Sequence, residues 1–305
     1  MVRFLAYRLA TVLAVGVTLS VVTFLLLYSA TDPAAALAGQ DATAEQIEAL
    51  RRQLGLDRPL IEQYLSWLGN VLIGDFGESW YWKQPVARLI IDHAPATILL
   101  SIMALAVTIV IALPLGIAAA LHPNTWLDRF AVSFAVTAQA VPTFWLGLLF
   151  IYFFALQLKW LPVSGDGSFA HFIMPAIVLG LVSVPAVMRL TRNGLLDVLQ
   201  ADYIRTARAK GVIPAGVIWR HALRNSILPV ISVLAIQLGN KLGGSVVTES
   251  VFAINGMGRL ALQSILAADL PTVQMLVFIF ALIFVVLNLI SDLINAWLDP
   301  RIRLG

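Results

Sequence analysis

Six long apolar stretches constrain the fold of this chain more than any other feature of its sequence. A helix needs roughly 20 apolar residues to cross a hydrocarbon core of about 30 Å. The stretches that meet this requirement are residues 9–28, 94–121, 130–156, 171–189, 227–248 and 272–297. Hydrophobic residues make up 60% of the chain and charged residues 12%, far from the balance of a soluble domain. We therefore expect an all-α polytopic membrane protein with six transmembrane helices in a lipid bilayer.

The first stretch has a second interpretation, as a secretory signal. Arg3 and Arg8 precede it, and small residues between positions 29 and 38 could provide a cleavage site. Its apolar core of about 20 residues exceeds the roughly 7 to 15 of a signal peptide. We therefore expect a helix that is retained.

The positions of Lys and Arg predict the orientation, because cytoplasmic segments carry an excess of both. A cytoplasmic N-terminus places twelve of these residues in the cytoplasm and seven outside. We therefore expect both termini in the cytoplasm. Residues 1–30 then form the cytoplasmic N-terminus and first transmembrane helix, and residues 31–93 form an external cap. Residues 94–305 form a core with five transmembrane helices. This core includes a cytoplasmic segment at 190–226 and an external loop at 249–271.

The external cap has its own helix signals. Thr43 and Gln46 form a capping box, and Gly55 is placed to end the helix that follows. A second helix is predicted after Asp57-Arg58-Pro59, with a turn at Gly74-Asp75-Phe76-Gly77. Its aromatic residues, Trp67, Trp80, Tyr81 and Trp82, are expected at the membrane interface, with a binding role as the alternative.

A basic segment lies between the fourth and fifth apolar stretches, and carries seven Lys and Arg residues between Arg189 and Arg224. We expect a helix at 195–210, a turn at Gly211 and a short helix at 214–220, where Pro214 is tolerated in the first turn. Such an elbow is suited to docking a partner protein. The alternative is a solvated basic loop held by anionic lipid headgroups. The net charge of +3 is small, and nucleic acid is not an expected partner.

Several short motifs occur in a characteristic order along nearly the whole chain. They are Arg3-Phe4-Leu5 with Arg8, Asp32-Pro33, Leu54-Gly55-Leu56-Asp57-Arg58-Pro59, Gly74-Asp75-Phe76-Gly77, Ala207-Arg208-Ala209-Lys210-Gly211, Arg220-His221-Ala222-Leu223-Arg224-Asn225, Leu228-Pro229, Gly256-Met257-Gly258-Arg259 and Leu298-Asp299-Pro300-Arg301. With these motifs the chain resembles the dipeptide and oligopeptide permease subunits of ABC importers.

The resemblance implies the type I importer permease fold, in a bacterial plasma (inner) membrane. It also implies four kinds of partner: a second homologous permease subunit, two cytoplasmic ATPase subunits, an external solute-binding protein and the bilayer. The chain lacks a Gly-x-x-x-x-Gly-Lys-Ser/Thr phosphate loop. We therefore expect it to be no enzyme and to hold no cofactor, with ATP and Mg bound by the partner ATPases.

The implied activity is peptide import by alternating access, with this chain forming half of the translocation pathway. The same machinery could instead import nickel, glutathione or another small solute. The alternatives from other classes are an exporter or channel subunit and a stand-alone receptor. The four histidines have no metal-ligand spacing, and we expect no metal site in this chain.

The resemblance makes the basic segment the expected contact with the ATPases, and we call residues 190–226 the coupling segment. The residues expected to contribute are Arg205, Thr206, Ala207, Ala209, Lys210, Gly211, Pro214, Val217 and Arg220. The small Ala207 and Ala209 would allow close approach, and Arg205, Arg208 and Arg220 would pair with acids of the partner. Arg205-Thr206-Ala207 stands where importer permeases in general have Glu-Ala-Ala, and residues 211–228 form a longer interval than in the general pattern; peptide-type permeases resemble this chain in both respects.

Polar side chains in the fifth stretch are candidates for lining the pathway. Gln237, Asn240 and Lys241 occupy neighbouring helical positions, and polar groups at membrane depth usually face a partner or water. In the alternative interpretation, Lys241 extends towards the headgroups.

The loop at 249–271 is a candidate external gate. Gly256 and Gly258 would allow a sharp re-entrant turn, and a short helix is predicted at 259–268. Phe252 and Met257 would form the gate, or, in the alternative, would only pack inside a lid.

Overall fold

The computed structural model describes residues 2–30, 32–39 and 42–298, and these residues are almost entirely helical. The helices are α1 Val2–Ala30, α2 Pro33–Ala38, α3 Ala44–Gln53, α4 Leu60–Leu72, α5 Val86–Leu121, α6 Trp126–Ala140, α7 Thr143–Phe150, α8 Ala170–Leu181, α9 Val184–Leu199, α10 Asp202–Ala209, α11 Pro214–Gly216, α12 Leu223–Ser226, α13 Leu228–Gly244, α14 Val246–Val251, α15 Met257–Leu266 and α16 Leu270–Leu298. Ile151–Gln157 and Val217–Ala222 are π-helical. The predicted motif at Asp299-Pro300-Arg301 and the predicted cytoplasmic Arg303 lie outside the described residues, as do the side chains of Arg3 and Arg8.

The chain divides into two compact units. The first consists of Met1–Thr97 and Asn255–Val285, and the second of Ile98–Ile254 and Val286–Gly305. The predicted external cap at 31–93 belongs to the first unit, and the coupling segment belongs to the second.

The helix ends of the cap confirm the local sequence signals. The Gln46 backbone N–H donates to Thr43 Oγ1 at 3.3 Å, and the Thr43 N–H donates to Gln46 Oε1 at 2.9 Å, which completes the capping box. Gly55 has a φ of +67°, a conformation that glycine adopts without a Cβ penalty. Gly74 and Gly77 also have positive φ values, of 84° and 76°, at the predicted turn.

Aromatic contacts pack α4 inside the first unit. The Trp67 ring lies 6.4 Å from Phe24 of α1 and 5.7 Å from Phe278 of α16, between ring centroids. Tyr64 Oη and Ser20 Oγ share a hydrogen bond of 2.8 Å. Trp67 is thus partly enclosed by protein, whereas Tyr81 is exposed. An interfacial location for these aromatics stays a prediction.

The loop that precedes α5 is fixed by one buried carboxylate. Asp269 is fully buried and accepts hydrogen bonds from Ser79 Oγ at 2.6 Å and from the Trp80 backbone N–H at 2.8 Å. The start of α5 then packs against α15 and α16 in an apolar cluster that includes Val86, Leu260 and Leu276. This carboxylate and this cluster tie the two sequence segments of the first unit together.

The predicted spans are present as apolar helices, but several are bent. Of the described residues, α5 and Leu270–Ile294 are long and apolar enough to cross a membrane unaided. Three further helix pairs are bent, by 100° between Trp126–Ala140 and Thr143–Gln157, by 54° between Ala170–Leu181 and Val184–Leu199, and by 52° between Pro214–Ser226 and Leu228–Gly244. Counting each pair as one span gives up to five, and Ala10–Leu25 is a shorter apolar helix. The all-helical prediction is confirmed, but a bend breaks the spans expected at 130–156 and 171–189, and the span expected at 227–248 begins at a third bend.

Each bend coincides with a proline. Pro142 directly precedes α7, and Pro185 and Pro229 lie in the first turns of α9 and α13. Proline lacks a backbone N–H and disfavours helical geometry in the residue before it. Val141 accordingly has extended backbone angles, with φ −83° and ψ 125°. The helical hydrogen-bond ladder is therefore interrupted at the bends.

Two glycines allow α5 to pack closely against α8 and α9 in the second unit. A Cβ at Gly180 would lie 2.7 Å from the Ala104 carbonyl oxygen, and a Cβ at Gly116 would lie 2.8 Å from the Met188 carbonyl oxygen. Around Gly116, Ala112, Val187 and other small or branched residues form a buried apolar cluster. The contact between these helices is therefore backbone to backbone at two points.

Candidate functional site

The coupling segment forms a compact arrangement of short helices. α9 ends at Leu199, α10 runs from Asp202 to Ala209, and Gly211 has a φ of +78°. The turn at Gly211 is as predicted, and so is Pro214 in the first turn of the next helix. Two boundaries differ: the helix expected at 195–210 is broken at residues 200–201, and the helix expected at 214–220 continues to Ser226.

Packing explains the break at residues 200–201. At 100° per residue, Leu195 and Ile204 would lie on opposite faces of one straight helix. Both are fully buried in one cluster with Ala120, Val217 and Ala222. The break between α9 and α10 therefore turns both apolar side chains to the same side, and it gives the coupling segment a core of its own.

Two residues of the predicted coupling set are buried. Ala207 is 8% exposed and Val217 is 2% exposed, so their side chains point into the protein and not towards a partner. A small residue at position 207 allows close packing within the segment itself. The exposed members of the predicted set are Arg205, Thr206, Ala209, Lys210, Gly211, Pro214 and Arg220.

Two large apolar side chains of the coupling segment are exposed, and sequence reasoning did not select them. Ile213 is 70% exposed and Trp219 is 65% exposed. Both occur within the most basic part of the chain, near the exposed Arg208 and Arg220. The sequence did contain a signal for them, because large apolar residues are unusual among the cations of a loop. We call the exposed residues 205–206, 208–211, 213–214 and 219–220 the docking face.

A bidentate ion pair fixes α9 where it enters the coupling segment. Arg192 Nε donates to Asp128 Oδ1 at 2.7 Å, and Arg192 Nη2 donates to Asp128 Oδ2 at 2.8 Å. The Asn124 backbone N–H also donates to Asp128 Oδ2, at 3.0 Å. The Asp128 side chain is 8% exposed, so this pair is shielded on one side. The pair joins residues 64 positions apart, and no local pattern in the sequence indicates it.

Lys241 is placed differently from both sequence interpretations. Its side chain is buried, and its Nζ donates to the Leu179 carbonyl oxygen and to Ser183 Oγ, both at 2.9 Å. Ser183 Oγ in turn donates to Gln237 Oε1 at 2.8 Å. Lys241 thus neither extends towards headgroups nor faces an open path, because it binds the bend between α8 and α9.

The predicted pathway trio is therefore not brought together on one surface. Gln237 and Lys241 both reach Ser183, whereas Asn240 is exposed. Of the three, Asn240 keeps the position expected of a lining residue.

The candidate gate residues are also buried. In the second unit, Phe252 is 1% exposed, packs against Gly147, and accepts a hydrogen bond from the Gly165 N–H at its carbonyl oxygen. In the first unit, Met257 is 2% exposed, and its N–H donates to Thr97 Oγ1 at 2.7 Å. Both side chains are packed inside their units, and a gate role for them stays a prediction.

The turn in this loop does not use the predicted glycines. Gly256 is extended, with a φ of −104°, and caps α15, while Gly258 lies inside that helix. The residues of the loop with left-handed backbone are Ala253, with a φ of 52°, and Ala268, with a φ of 53°. The helix expected at 259–268 is present as α15, which begins and ends two residues earlier.

An open cavity of about 430 Å³ lies within the first unit. Its lining includes Arg58, Glu62, Asp75 and Gln274, so charges of both signs face it. Gln274 is 2% exposed, and its Nε2 has no hydrogen-bond partner among the described residues. A buried amide of this kind lowers stability, since its desolvation is uncompensated.

Two family descriptions match adjacent regions of the chain. Residues 112–304 match the binding-protein-dependent transport system inner membrane component. Residues 1–101 match the N-terminal part of the membrane component of such transport systems. The chain belongs to this family. The permease fold expected from the sequence motifs is thereby supported along nearly the whole chain.

Curated relatives match the permease from end to end. The glutathione transport system permease protein GsiC of Escherichia coli (strain K12) is 38% identical over 304 residues, which cover 99% of both chains. The protein of the same name from Salmonella typhimurium (strain LT2) has the same identity and coverage. The permease is therefore the membrane component of an ABC importer, as the motifs predicted.

Solved structures show the same fold. An inward-facing MetNI methionine ABC transporter matches with a TM-score of 0.58 at 17% identity, over 70% of the permease and 97% of that chain. An amino acid ABC transporter crystallised with histidines matches with a TM-score of 0.51 at 19% identity, over 70% and 94%. The permease thus has the type I importer fold. Its family description and its relatives make it a multi-pass inner-membrane component that acts with a solute-binding protein and ATPases.

Proposed function

We propose that this permease imports a peptide-type solute, either short peptides or glutathione, and forms half of the pathway together with a second homologous permease. Glutathione is itself a small peptide, and the similar GsiC proteins carry the name of a glutathione transport system. Both termini lie in the cytoplasm in this proposal, because that orientation puts the excess of Lys and Arg inside.

The observation that carries the coupling part of the proposal is the rigid construction of the coupling segment. Motion is transmitted through contiguous elements that have discrete arrangements, and a floppy loop could not do this. Leu195, Ile204 and Val217 give the segment an internal core, while Ile213 and Trp219 remain on its surface. We assign this docking face to the partner ATPases, which bind ATP and Mg in this proposal.

Charge supports an acidic recess as the matching surface on the ATPase. Arg205 is paired only loosely with Asp202, at 3.4 Å, and the side chains are 74% and 95% exposed. An exposed pair of this kind contributes little stability and exchanges partners readily. Trp219 would fill an apolar pocket at the centre of the contact, since buried Trp and Arg dominate the energetics of interfaces.

The experiment that tests cargo is uptake by the complete transporter in proteoliposomes. We expect ATP-dependent accumulation of labelled glutathione or a labelled dipeptide in the presence of the solute-binding protein. Competition by the unlabelled peptide should abolish uptake, and nickel or an oligosaccharide should not. ATP-dependent uptake of nickel with no peptide uptake would overturn the proposal for cargo while leaving the importer fold intact.

A further inference from the structure

The bend between α8 and α9 leaves a backbone carbonyl without its helical partner. In a continuous helix the Leu179 carbonyl would accept from the Ser183 N–H. That N–H instead donates to the Gly180 carbonyl at 3.1 Å. An unsatisfied carbonyl is costly inside a membrane, where no bulk water replaces the lost bond. A neighbouring side chain must therefore satisfy it.

Side chains of two neighbouring helices donate to carbonyls at this bend. Thr108 Oγ1 of α5 donates to the Gly180 carbonyl at 2.8 Å. Lys241 Nζ of α13 donates to the Leu179 carbonyl at 2.9 Å. The Thr108 hydroxyl also donates to the Ala104 carbonyl at 2.9 Å, and the Gly180 carbonyl already accepts from the Ser183 N–H, so the Leu179 carbonyl is the one that depends on a side chain. A buried ammonium is much more expensive than a hydroxyl, so its use at Leu179 points to a function beyond capping.

The position of Lys241 between the two arms of the coupling segment indicates that function. α9 leads into the segment, and α13 leaves it. Lys241 and Gln237 of α13 both bind Ser183, which directly precedes α9. The ion pairs of the described residues do not include Lys241, so its ammonium is held by exchangeable neutral acceptors.

We propose that Lys241 is a positioning residue that fixes the angle of the α8–α9 bend and thereby couples the two arms of the coupling segment during transport. This inference rests on the proposed function. The ammonium has three donors on a flexible stem, so it can exchange between the Leu179 carbonyl and the Ser183 hydroxyl as the angle changes. Force that enters through α9 is then passed to α13, because the two helices are joined in two places. The coupling segment connects one pair of their ends, and the contacts of Lys241 and Gln237 with Ser183 join the opposite ends.

The first test measures coupling in the complete transporter. Lys241→Met removes all donors at similar length. We expect solute uptake per ATP hydrolysed to fall by about two-fold to thirty-fold, the range of energetic coupling through packed networks, with KM for the solute unchanged. Ser183→Ala should give a smaller loss, and the double variant should lose no more than Lys241→Met, because the two residues share one bond. Lys83→Met, which removes the same charge from an exposed position, serves as the control and should transport normally.

The second test does not depend on cargo. The chain has no cysteine, so spin labels can be attached at Phe169→Cys and Arg189→Cys, which are exposed positions on opposite sides of the bend. We expect a narrow distance distribution with Lys241 and a broadened one with Lys241→Met. A distribution that stays narrow would overturn the inference whatever the cargo proves to be.

Uptake that fails in the unaltered transporter overturns the proposed function alone, whereas unchanged uptake per ATP in Lys241→Met overturns the inference alone. A raised KM for the solute with unchanged coupling would overturn the inference and would show that Lys241 contacts the solute in the pathway.

Discussion

Single residues decide how closely the helices of the second unit approach one another. Gly180 and Gly116 meet backbone atoms of neighbouring helices, and Thr108 and Lys241 bond to carbonyls at the bend next to Gly180. Small residues at helix contacts are the usual means of close packing in membranes, where lipid removes the hydrophobic driving force between helices.

Substitution of Gly180 tests this packing. A Cβ there would lie 2.7 Å from the Ala104 carbonyl oxygen and 2.9 Å from Val107 Cβ, neither of which can move without shifting α5. We expect Gly180→Ala to lower the free energy of unfolding by about 1 to 3 kcal/mol, the usual cost of overpacking. Thermal unfolding of the purified protein in detergent measures the effect. Gly244→Ala is the matched control, because no atom lies within 4 Å of its added Cβ, and equal stability of the two variants would contradict the packing described.

The unpartnered amide of Gln274 gives a prediction of opposite sign. Replacement by Leu removes a buried polar atom that has no partner among the described residues, while keeping the size of the side chain. We expect Gln274→Leu to raise the free energy of unfolding by about 1 to 3 kcal/mol. Gln84→Leu, at an exposed position, should change it by less than about 0.5 kcal/mol. A destabilised Gln274→Leu variant would contradict this account of the amide.

At the residue scale, the sequence predicted the features that depend only on residues close along the chain. The Thr43 capping box and the turn at Gly211 need only residues within four positions, and both are confirmed. The direction of Lys241 depends on a carbonyl 62 positions away, which is orphaned only once α8 bends. The burial of Ala207 likewise depends on the break at residues 200–201. Neither could be predicted without the tertiary structure.

At the scale of elements, the coupling segment is held by its arms and by its own core. The Asp128–Arg192 pair joins α6 to α9, and the cluster around Leu195 and Ile204 joins α9 to α10. Removing one partner of a shielded ion pair is more damaging than replacing both, because the remaining charge is left without compensation.

The ion pair provides an element-scale prediction. Arg192→Met leaves the Asp128 carboxylate, 8% exposed, with only a backbone N–H as donor, and we expect a loss of about 1.5 to 3 kcal/mol in the free energy of unfolding. Arg88→Met is the matched control, since its pair with Asp92 spans 3.8 Å and is exposed. The control should lose less than about 1 kcal/mol. Thermal unfolding measures the free energy of unfolding of both variants. A decrease in Arg88→Met as large as that in Arg192→Met would contradict the stabilising role of the Asp128–Arg192 pair.

Bends were the element-scale feature that the sequence left undetermined. Pro142, Pro185 and Pro229 mark all three, so the sites were visible in the sequence. Pro175, however, lies inside α8 without ending it. Whether a helix bends near a proline depends on which neighbours satisfy the carbonyls that the bend frees, as Lys241 does for Leu179. That information is tertiary.

For the whole molecule, the central claim is that ATPase motion enters this permease at the docking face of the coupling segment. The family, the fold and two of the expected partners, a solute-binding protein and ATPases, followed from motifs spread over the chain, because such motifs are local. The contacts of two predicted lining residues did not follow, because Gln237 and Lys241 bind Ser183 at the bend between α8 and α9, whereas a lining role for the exposed Asn240 stays a prediction. The claim therefore depends on the location and contacts of Trp219, which is 65% exposed.

The most direct test uses a single cysteine in a chain that has none of its own. In the complete transporter, Trp219→Cys should cross-link to the ATPase and resist a membrane-impermeant maleimide added outside intact cells. Trp160 is 70% exposed and lies between the third and fourth apolar stretches, which the predicted orientation places outside. Trp160→Cys should therefore be labelled from outside and should not cross-link to the ATPase. Labelling of position 219 from outside, or failure to cross-link it to the ATPase in an assembled transporter, would contradict the account.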